Sequence, residues 1–392
     1  MANLSVDFAG MHFPNPFMLA AAPPTRTAEM IKRGFAAGWG GAVTKSIALE
    51  AARDLQPRLH PLRHRQHTIG MENIELATTL TVKEWQREIA AVKAAYPDQP
   101  LWASIMEAPA KANWQRLAEA IQEAGPDALE LNVSCPHGMV SKKMGAFIGQ
   151  DAELTGQVVA WVKEVARIPL VVKLTPDVGS IAFVAQAAKA NGADALCAVN
   201  SVSGIVGVDL DTLTPLPAVG GLAACGGYSG PGIKPIALRC VAQIAKATGL
   251  PVSGLGGLST WEDAVEFMAV GSTTVQVCTA VMWHGYGIVD RLLAGLDQYL
   301  ELKGFPDLRS IVGAALPKIV EFPEMPLAPR ARASVDSTCN GCLACVTACA
   351  DGGFQAIAGV AGNVVTIDAA KCDGCGLCVM VCPRSSISMI PR

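Results

Sequence analysis

Eight of the thirteen cysteines stand in two quartets late in the chain: Cys339, Cys342, Cys345 and Cys349, then Cys372, Cys375, Cys378 and Cys382 with Pro383 behind it. Each quartet has two x2 gaps followed by an x3 gap. Three thiolates at that spacing take three corners of a [4Fe–4S] cubane, and the fourth cysteine of each run serves the other cluster. The spacing predicts one cluster on Cys339, Cys342, Cys345 and Cys382, and a second on Cys349, Cys372, Cys375 and Cys378. Structural zinc usually pairs two C-x2-C units across a longer gap. A disulfide framework belongs to secreted chains, and no signal-peptide pattern opens this one. Ala350 stands where proline commonly follows such a run, but proline donates no ligand. The chemistry of this segment is one-electron transfer.

A second set of residues caps a series of short apolar runs. It comprises Lys45; Asn132 with Ser134, Cys135 and His137; Lys173 with Thr175; Asn200 and Ser201; Gly256 and Gly257; and Cys278 with Thr279. Two lysines and two asparagines at the ends of apolar strands are costly to desolvate without partners. A bound flavin accounts for them together. A lysine stabilises the negative charge that reduced flavin carries near N1, and asparagine amides satisfy the pyrimidine edge of the ring. Gly256 and Gly257 let backbone amides approach a phosphate. No dinucleotide fingerprint is present, since neither Gly254–Gly257 nor Gly226–Gly232 has the G-x-G-x-x-G spacing at the start of a helix. The chain is therefore expected not to bind nicotinamide itself, and to receive electrons through its clusters from another protein.

The elements that position these residues follow from periodicity. Strands are predicted at Phe17–Ala20, Gly41–Lys45, Leu101–Met106, Ala128–Val133, Leu170–Leu174, Ala195–Asn200, Pro251–Gly254 and Thr273–Cys278. Helical patterns lie between them, at Thr81–Ala95, Asn113–Gly125, Asp151–Arg167, Ile181–Asn191 and Lys234–Thr248 among others. Gly125, Gly192, Gly249 and Gly271 stand where helices should end. Eight β units, seven followed by helix-like segments, in about 290 residues predict an α/β fold of the TIM (β/α)8 type in preference to a doubly wound sheet. Barrel chemistry sits at the C-terminal ends of the strands, and phosphates bind at the loops after strands seven and eight. The alternation of Leu4, Val6 and Phe8 before Gly10 predicts a hairpin at the barrel floor. The proline-rich stretch 322–333 is expected to be a linker, giving a barrel domain over 1–321 and a small α+β, two-cluster ferredoxin-like domain over 334–392. Each half of that small domain should hold a cysteine run and then a short strand, Phe354–Ile357 and Ser386–Met389.

Composition excludes several function classes. The chain has 392 residues, 51% apolar and 5% aromatic, with 38 glycines, a length that suits two or three domains. A net charge of −3 leaves no nucleic-acid footprint. No apolar run reaches the length of about 18 residues that a membrane span needs. Cluster thiolates beside five scattered cysteines, Cys135, Cys197, Cys225, Cys240 and Cys278, point to the reducing cytoplasm. The basic stretch Arg58–His67 is expected to be a solvated loop, with partner docking as its second reading.

Several segments together carry a resemblance. They are Asn15-Pro-Phe17, Gly38-Trp-Gly40, Thr44-Lys45, Asn73-Ile-Glu75, Ala103-Ser-Ile-Met106 and Asn132-Val-Ser-Cys-Pro-His-Gly-Met139. Further on come Lys173-Leu-Thr-Pro176, Asn200-Ser-Val-Ser-Gly204, Ser229-Gly230, Lys234-Pro-Ile-Ala-Leu-Arg239, Gly256-Gly257 and Gln276-Val-Cys278. With the two cysteine runs, the chain resembles the dihydroorotate dehydrogenase superfamily and, within it, the pyrimidine-reducing half of the dihydropyrimidine dehydrogenases. The resemblance implies FMN at Ala21, Lys45, Ser46, Asn132, Lys173, Asn200, Ser201, Gly230, Gly256, Gly257, Cys278 and Thr279. It implies pyrimidine contacts at Asn73, Glu75, Asn132, Asn200 and Ser201. The implied reaction reduces uracil or thymine to the 5,6-dihydropyrimidine, with hydride passing from FMN N5 to C6 and a proton from Cys135 to C5. His137 would orient the Cys135 loop. The implied partner is an FAD- and NAD(P)H-binding flavoprotein subunit, in a heterotetramer.

Two positions depart from the pattern. Ser201 stands where threonine is usual and keeps the hydroxyl, and Val140-Ser-Lys-Lys143 differs in charge on the loop that carries the implied acid. A dihydroorotate dehydrogenase is the first alternative, although Glu75 beside Asn73 would face the orotate carboxylate unfavourably. An electron-transfer subunit whose barrel is only a docking scaffold, or which acts on another N-heterocycle, is the second.

Overall fold

The computed structural model describes residues 2–137, 143–326 and 330–392. Contacts divide the chain into two units, Met1–Lys318 and Ile319–Arg392.

The first unit is the expected barrel. Its strands are β1 (Phe17–Leu19), β2 (Gly41–Val43), β3 (Leu101–Ile105), β4 (Ala128–Asn132), β5 (Leu170–Leu174), β6 (Ala195–Ala198), β7 (Val252–Leu255) and β8 (Ser272–Val277). They pair in parallel in chain order, and β8 closes on β1. Every residue of β3, β4 and β5 is buried, as expected of strands covered on both faces. The helices follow the same logic. Val82–Ala95 begins at a capping box between Thr81 and Glu84 and turns Trp85, Ile89 and Val92 inward. The four glycines expected to end helices all have positive φ.

At the floor, Val6–Phe8 and Met11–Phe13 form an antiparallel hairpin. Phe8 stacks on Trp102 of β3 with ring centroids 5.2 Å apart, and Phe13 meets both rings edge-on. Above this apolar plug the interior turns polar. Register aligns Asn132, Lys173, Cys197, Ser253 and Thr274 across five successive strands, where barrels usually stack branched aliphatic side chains.

The mouth differs from expectation. Arg58–His67 is not a loop: Leu59–His64 and His67–Asn73 pair as a hairpin, which Gly226–Ser229 and Val202–Gly204 extend into a four-stranded sheet. Its charged, exposed outer strand hides the alternation that would have marked it in the sequence. Two smaller hairpins, Gly207–Asp209 with Thr214–Leu216 and Ala218–Val219 with Leu222–Ala223, lie in the same β6–β7 connection, ahead of the helix Lys234–Thr248.

In the second unit, Ala331–Val335 pairs antiparallel with Ile387–Pro391. The strand therefore begins inside the stretch expected to be linker, of which 327–329 lies outside the described residues. The buried Ala333 fixes it there, its N–H donating to the Cys372 Sγ at 3.4 Å. A short helix lies within each cysteine run, Ala344–Gly352 with Cys345 and Cys349 and Leu377–Val381 with Cys378, and each is preceded by a left-handed residue, Leu343 or Gly376. Those equivalent positions express an internal pseudo-twofold. Among the described residues no helix is long and apolar enough to cross a membrane.

Candidate active site

A cleft opens at the C-terminal ends of the strands. Of the residues expected to bind cofactor or substrate, Lys45, Asn73, Asn200, Ser201, Gly230, Gly256, Gly257, Cys278 and Thr279 line it. The mouth sheet supplies a wall through Met71, Asn73, Gly227 and Ser229. Ala22 and Pro23, beside Ala21, complete the β1 edge.

One end is a glycine cradle. Gly256 and Gly257 have φ of 126° and 82°, conformations that side chains disfavour. A Cβ on Gly257 would lie 2.8 Å from the Gly230 carbonyl and 2.9 Å from the Lys234 amide nitrogen. Backbone thus crowds a concave surface where the helix Lys234–Thr248 begins, a setting suited to an anion such as phosphate. The Thr279 hydroxyl donates to the Ser229 hydroxyl at 2.9 Å on the same side.

A hydrogen-bonded chain links lining residues to Ser46, Ser104, Asn132 and Ser134 behind them. Asn132 Nδ2 donates to Ser46 Oγ at 2.8 Å, and Ser46 is paired with Ser104 at 3.0 Å. Asn132 Oδ1 accepts from the Ser134 hydroxyl at 2.9 Å and from Asn200 Nδ2 at 3.3 Å. Asn200 Nδ2 also reaches Ser134 Oγ at 3.0 Å, and Asn200 Oδ1 accepts from the Ser201 amide at 2.8 Å. Asn73 Oδ1 accepts from the Glu75 amide at 2.7 Å, which fixes the Asn73 side chain at the cleft wall. Three asparagines are therefore held in set orientations by groups that are themselves anchored.

Two cations lie under the cleft, each with a carboxylate. Lys45 Nζ is 3.2 Å from Glu75 Oε2, and Arg26 and Arg58 flank the same carboxylate at 3.6 and 3.9 Å. Glu75, expected at the substrate, is thus a buried ion-pair centre behind the lining. Lys173 Nζ is 3.7 Å from Glu130 Oε1, with Glu130 fully buried. Burial pulls the Lys173 pKa down, but Glu130 first, with Cys197 and Cys278 beside it, offsets this and the net direction is up. Burial pushes the Cys278 thiol up to about 11. Gln276 Nε2 donates to Cys197 Sγ at 3.2 Å and Ser253 Oγ at 3.1 Å. Its Oε1 is buried without a partner among the described residues, although Gln276 lines the cleft. An orphaned acceptor, two cations, an amide edge and an anion cradle are a donor set that fits a flavin mononucleotide.

Sequence reasoning missed Glu130 and Gln276. The signal was available for Glu130: it shares the inward face of β4 with Asn132, two residues away.

Cys135 follows this network directly. It is buried, and its thiol donates to the Leu76 carbonyl at 3.8 Å, among Ala77, Met106 and Met144. It does not line the cleft among the described residues. A Cβ on Gly145 would lie 3.0 Å from the Cys135 Cβ, so the chain closes tightly behind the thiol. The His137 pKa is pushed down to about 4 by burial first and by Lys45 as well, against opposing effects of the Cys225 backbone and Glu75. Gly138, Met139 and Val140–Lys142, part of the loop singled out in the sequence, lie outside the described residues.

In the small unit none of the eight quartet cysteines forms a disulfide. Cys349, Cys372, Cys375 and Cys378 line one cavity, which joins the fourth cysteine of the first run to three of the second. Backbone amides donate to Cys349 and Cys382 sulfurs at 3.3 Å each. No three His, Cys, Asp or Glu side chains among the described residues gather closely enough for a single ion.

Comparison with known proteins places this architecture. A family profile described as dihydroorotate dehydrogenase matches residues 3–300, and one described as a 4Fe-4S dicluster domain matches residues 333–389. The NAD-dependent dihydropyrimidine dehydrogenase subunit PreA of Escherichia coli (strain K12) is 39% identical over 361 residues, covering 91% of this chain and 87% of that protein. The chloroplastic dihydropyrimidine dehydrogenase (NADP(+)) of Arabidopsis thaliana is 38% identical over 328 residues, 80% of this chain and 77% of that protein. The catalytic subunit of dihydroorotate dehydrogenase B (NAD(+)) of Pyrococcus abyssi (strain GE5 / Orsay) is 36% identical over 314 residues, 80% of this chain and 99% of that protein. The barrel is thus similar to both activities. The 361-residue alignment is longer than the barrel unit, so it also reaches the cysteine-rich unit.

Proposed function

We propose a function from the premise that this chain belongs to the dihydroorotate dehydrogenase family: it is an oxidoreductase that reduces uracil or thymine to the 5,6-dihydropyrimidine. The observation that carries the reading is the anchored amide edge of Asn73, Asn132 and Asn200 beside Cys135, on a chain that also bears two cubane-type cysteine runs. Bound FMN would supply the hydride for C6 of the pyrimidine.

The chain's own residues do the rest. Gly230, Gly256, Gly257 and Thr279 would hold the phosphate, while Lys45 and Lys173 hold positive charge under the ring. Ala21, Ser46, Asn132, Asn200, Ser201 and Cys278 complete the cofactor site. Asn73, Asn132, Asn200 and Ser201 present amides and a hydroxyl to the pyrimidine's carbonyl and N–H groups, and their mutual hydrogen bonds make that pattern rigid. Glu75 sets the Lys45 ammonium from behind the cleft lining. Cys135 Sγ holds a proton, as its donation to Leu76 requires, and would give it to C5. Solvent would then reprotonate the thiolate.

The clusters would rest on Cys339, Cys342, Cys345 and Cys382 and on Cys349, Cys372, Cys375 and Cys378, the second set being the one that shares a cavity. Electrons would come from an FAD- and NAD(P)H-binding flavoprotein subunit in a heterotetramer in the cytoplasm. The E. coli relative's name, a NAD-dependent subunit, supports that division of labour.

The test is turnover by anaerobically purified protein with a reduced viologen dye as electron source. Dihydrouracil formation from uracil is the expected result. Oxidation of dihydroorotate with no action on uracil or thymine would favour the dihydroorotate dehydrogenase reading, which the 36% identity of the Pyrococcus protein keeps in view.

A further inference from the structure

Glu130 stands on the inward face of β4. It is fully buried, and neither carboxylate oxygen has a hydrogen-bond partner of good geometry among the described residues. A buried carboxylate in that state is destabilising unless a nearby cation compensates it. The cation is Lys173, 2% exposed and 3.7 Å away on the neighbouring strand. The titratable groups that face Lys173 are Glu130 on β4, Cys197 on β6 and Cys278 after β8. Lys45 and Glu75 lie beyond Cys278 and are paired with each other. Burial pushes both thiols up, so they stay neutral. Among the described residues Glu130 is therefore the one anion paired with Lys173.

We infer that Glu130 is a positioning residue of the cofactor site, which keeps the Lys173 ammonium charged and seated beneath the ring whatever the state of the group bound above it. The inference rests on the flavin reading proposed above. Burial opposes the charge on Lys173, and Glu130 supports it. Without the carboxylate, burial is opposed only by the two buried thiols Cys197 and Cys278, so Lys173 loses its proton more readily as pH rises, and the positive charge that favours electron density near N1 goes with it.

Sulfite adds reversibly to oxidised flavin, and its affinity rises with positive charge near N1. The experiment measures the sulfite Kd of FMN-loaded wild type and Glu130→Gln between about pH 6 and about pH 9. Relative to wild type, Glu130→Gln is expected to lose at least tenfold in affinity from the acid to the alkaline end. A tenfold change corresponds to about 30 mV in a two-electron potential, readable independently in the flavin midpoint. Adding Lys173→Arg to Glu130→Gln is expected to restore the wild-type pH profile, because a guanidinium keeps its proton. Parallel profiles for wild type and Glu130→Gln overturn the inference. Glu130→Asp keeps the charge and decides the matter if Glu130→Gln does not fold: a profile parallel to wild type supports the inference, and a tenfold alkaline loss with FMN retained overturns it. Wild-type protein that binds no FMN overturns the flavin reading underneath.

Discussion

In the proposed reading Cys135 is a proton donor, unlike the quartet cysteines, which would hold iron. Its protonated thiol, held against Leu76 one residue beyond the asparagine–serine network, is placed to donate rather than to ligate. Replacing it with alanine removes the proton donor and nothing that holds the cofactor. Cys135→Ala is expected to keep bound, reducible flavin while uracil turnover falls by about 10²–10⁴-fold; steady-state rates beside flavin absorbance check this, and near-normal turnover would sink the assignment. His137 makes a separate prediction. Its folded pKa of about 4 lies below the free value of about 6.5, so between those pH values the unfolded chain binds a proton that the folded chain refuses. Stability therefore falls as pH drops through that window. His137→Gln is expected to remove up to about 3 kcal/mol of that acid loss, seen as a smaller difference between denaturant midpoints at about pH 7 and about pH 4.5. Single residues were unevenly legible. Lys45, Lys173 and the asparagines stood out because polar caps on apolar strands are costly. Glu130 did not by its type, and only its place two residues before Asn132 on the same face of β4 marks it as inward.

Barrel strands were legible almost to the residue, since strands buried on both faces are continuous apolar runs punctuated by glycine. The mouth sheet was not. Leu59–His64 carries charge, histidine and proline, and its pairing with His67–Asn73 becomes evident only when Gly226–Ser229 is brought against it. The start of the small unit was hidden for a related reason: Ala331–Val335 follows prolines in sequence but pairs with Ile387–Pro391 at the other end of the unit. The cradle belongs to this scale, because it exists only where the loop after β7 meets the start of the helix Lys234–Thr248. Gly257→Ala would set a methyl 2.8 Å from the Gly230 carbonyl at a φ of 82°. Backbone strain of about 1–3 kcal/mol predicts FMN binding weaker by about tenfold or more, measured by fluorescence titration of the apoprotein. An unchanged Kd would remove the cradle from the cofactor site.

For the whole molecule, a two-electron site and a set of one-electron carriers sit on one chain, and a flavin is the group that can exchange electrons either way. Cys375 stands in the cavity shared by Cys349, Cys372 and Cys378. Cys375→Ser is expected to lower iron content by about half and to abolish flavin reduction by NAD(P)H through the partner subunit, while photoreduction persists. Undiminished delivery from the partner would mean that this cluster is not on the electron path. The central claim, a pyrimidine-reducing site rather than an orotate site, is tested most directly by photoreducing the protein anaerobically and mixing it with uracil, thymine or orotate in turn. Uracil or thymine is expected to reoxidise the flavin, with orotate leaving it reduced. Reoxidation by orotate alone, or by none of the three, would contradict the account.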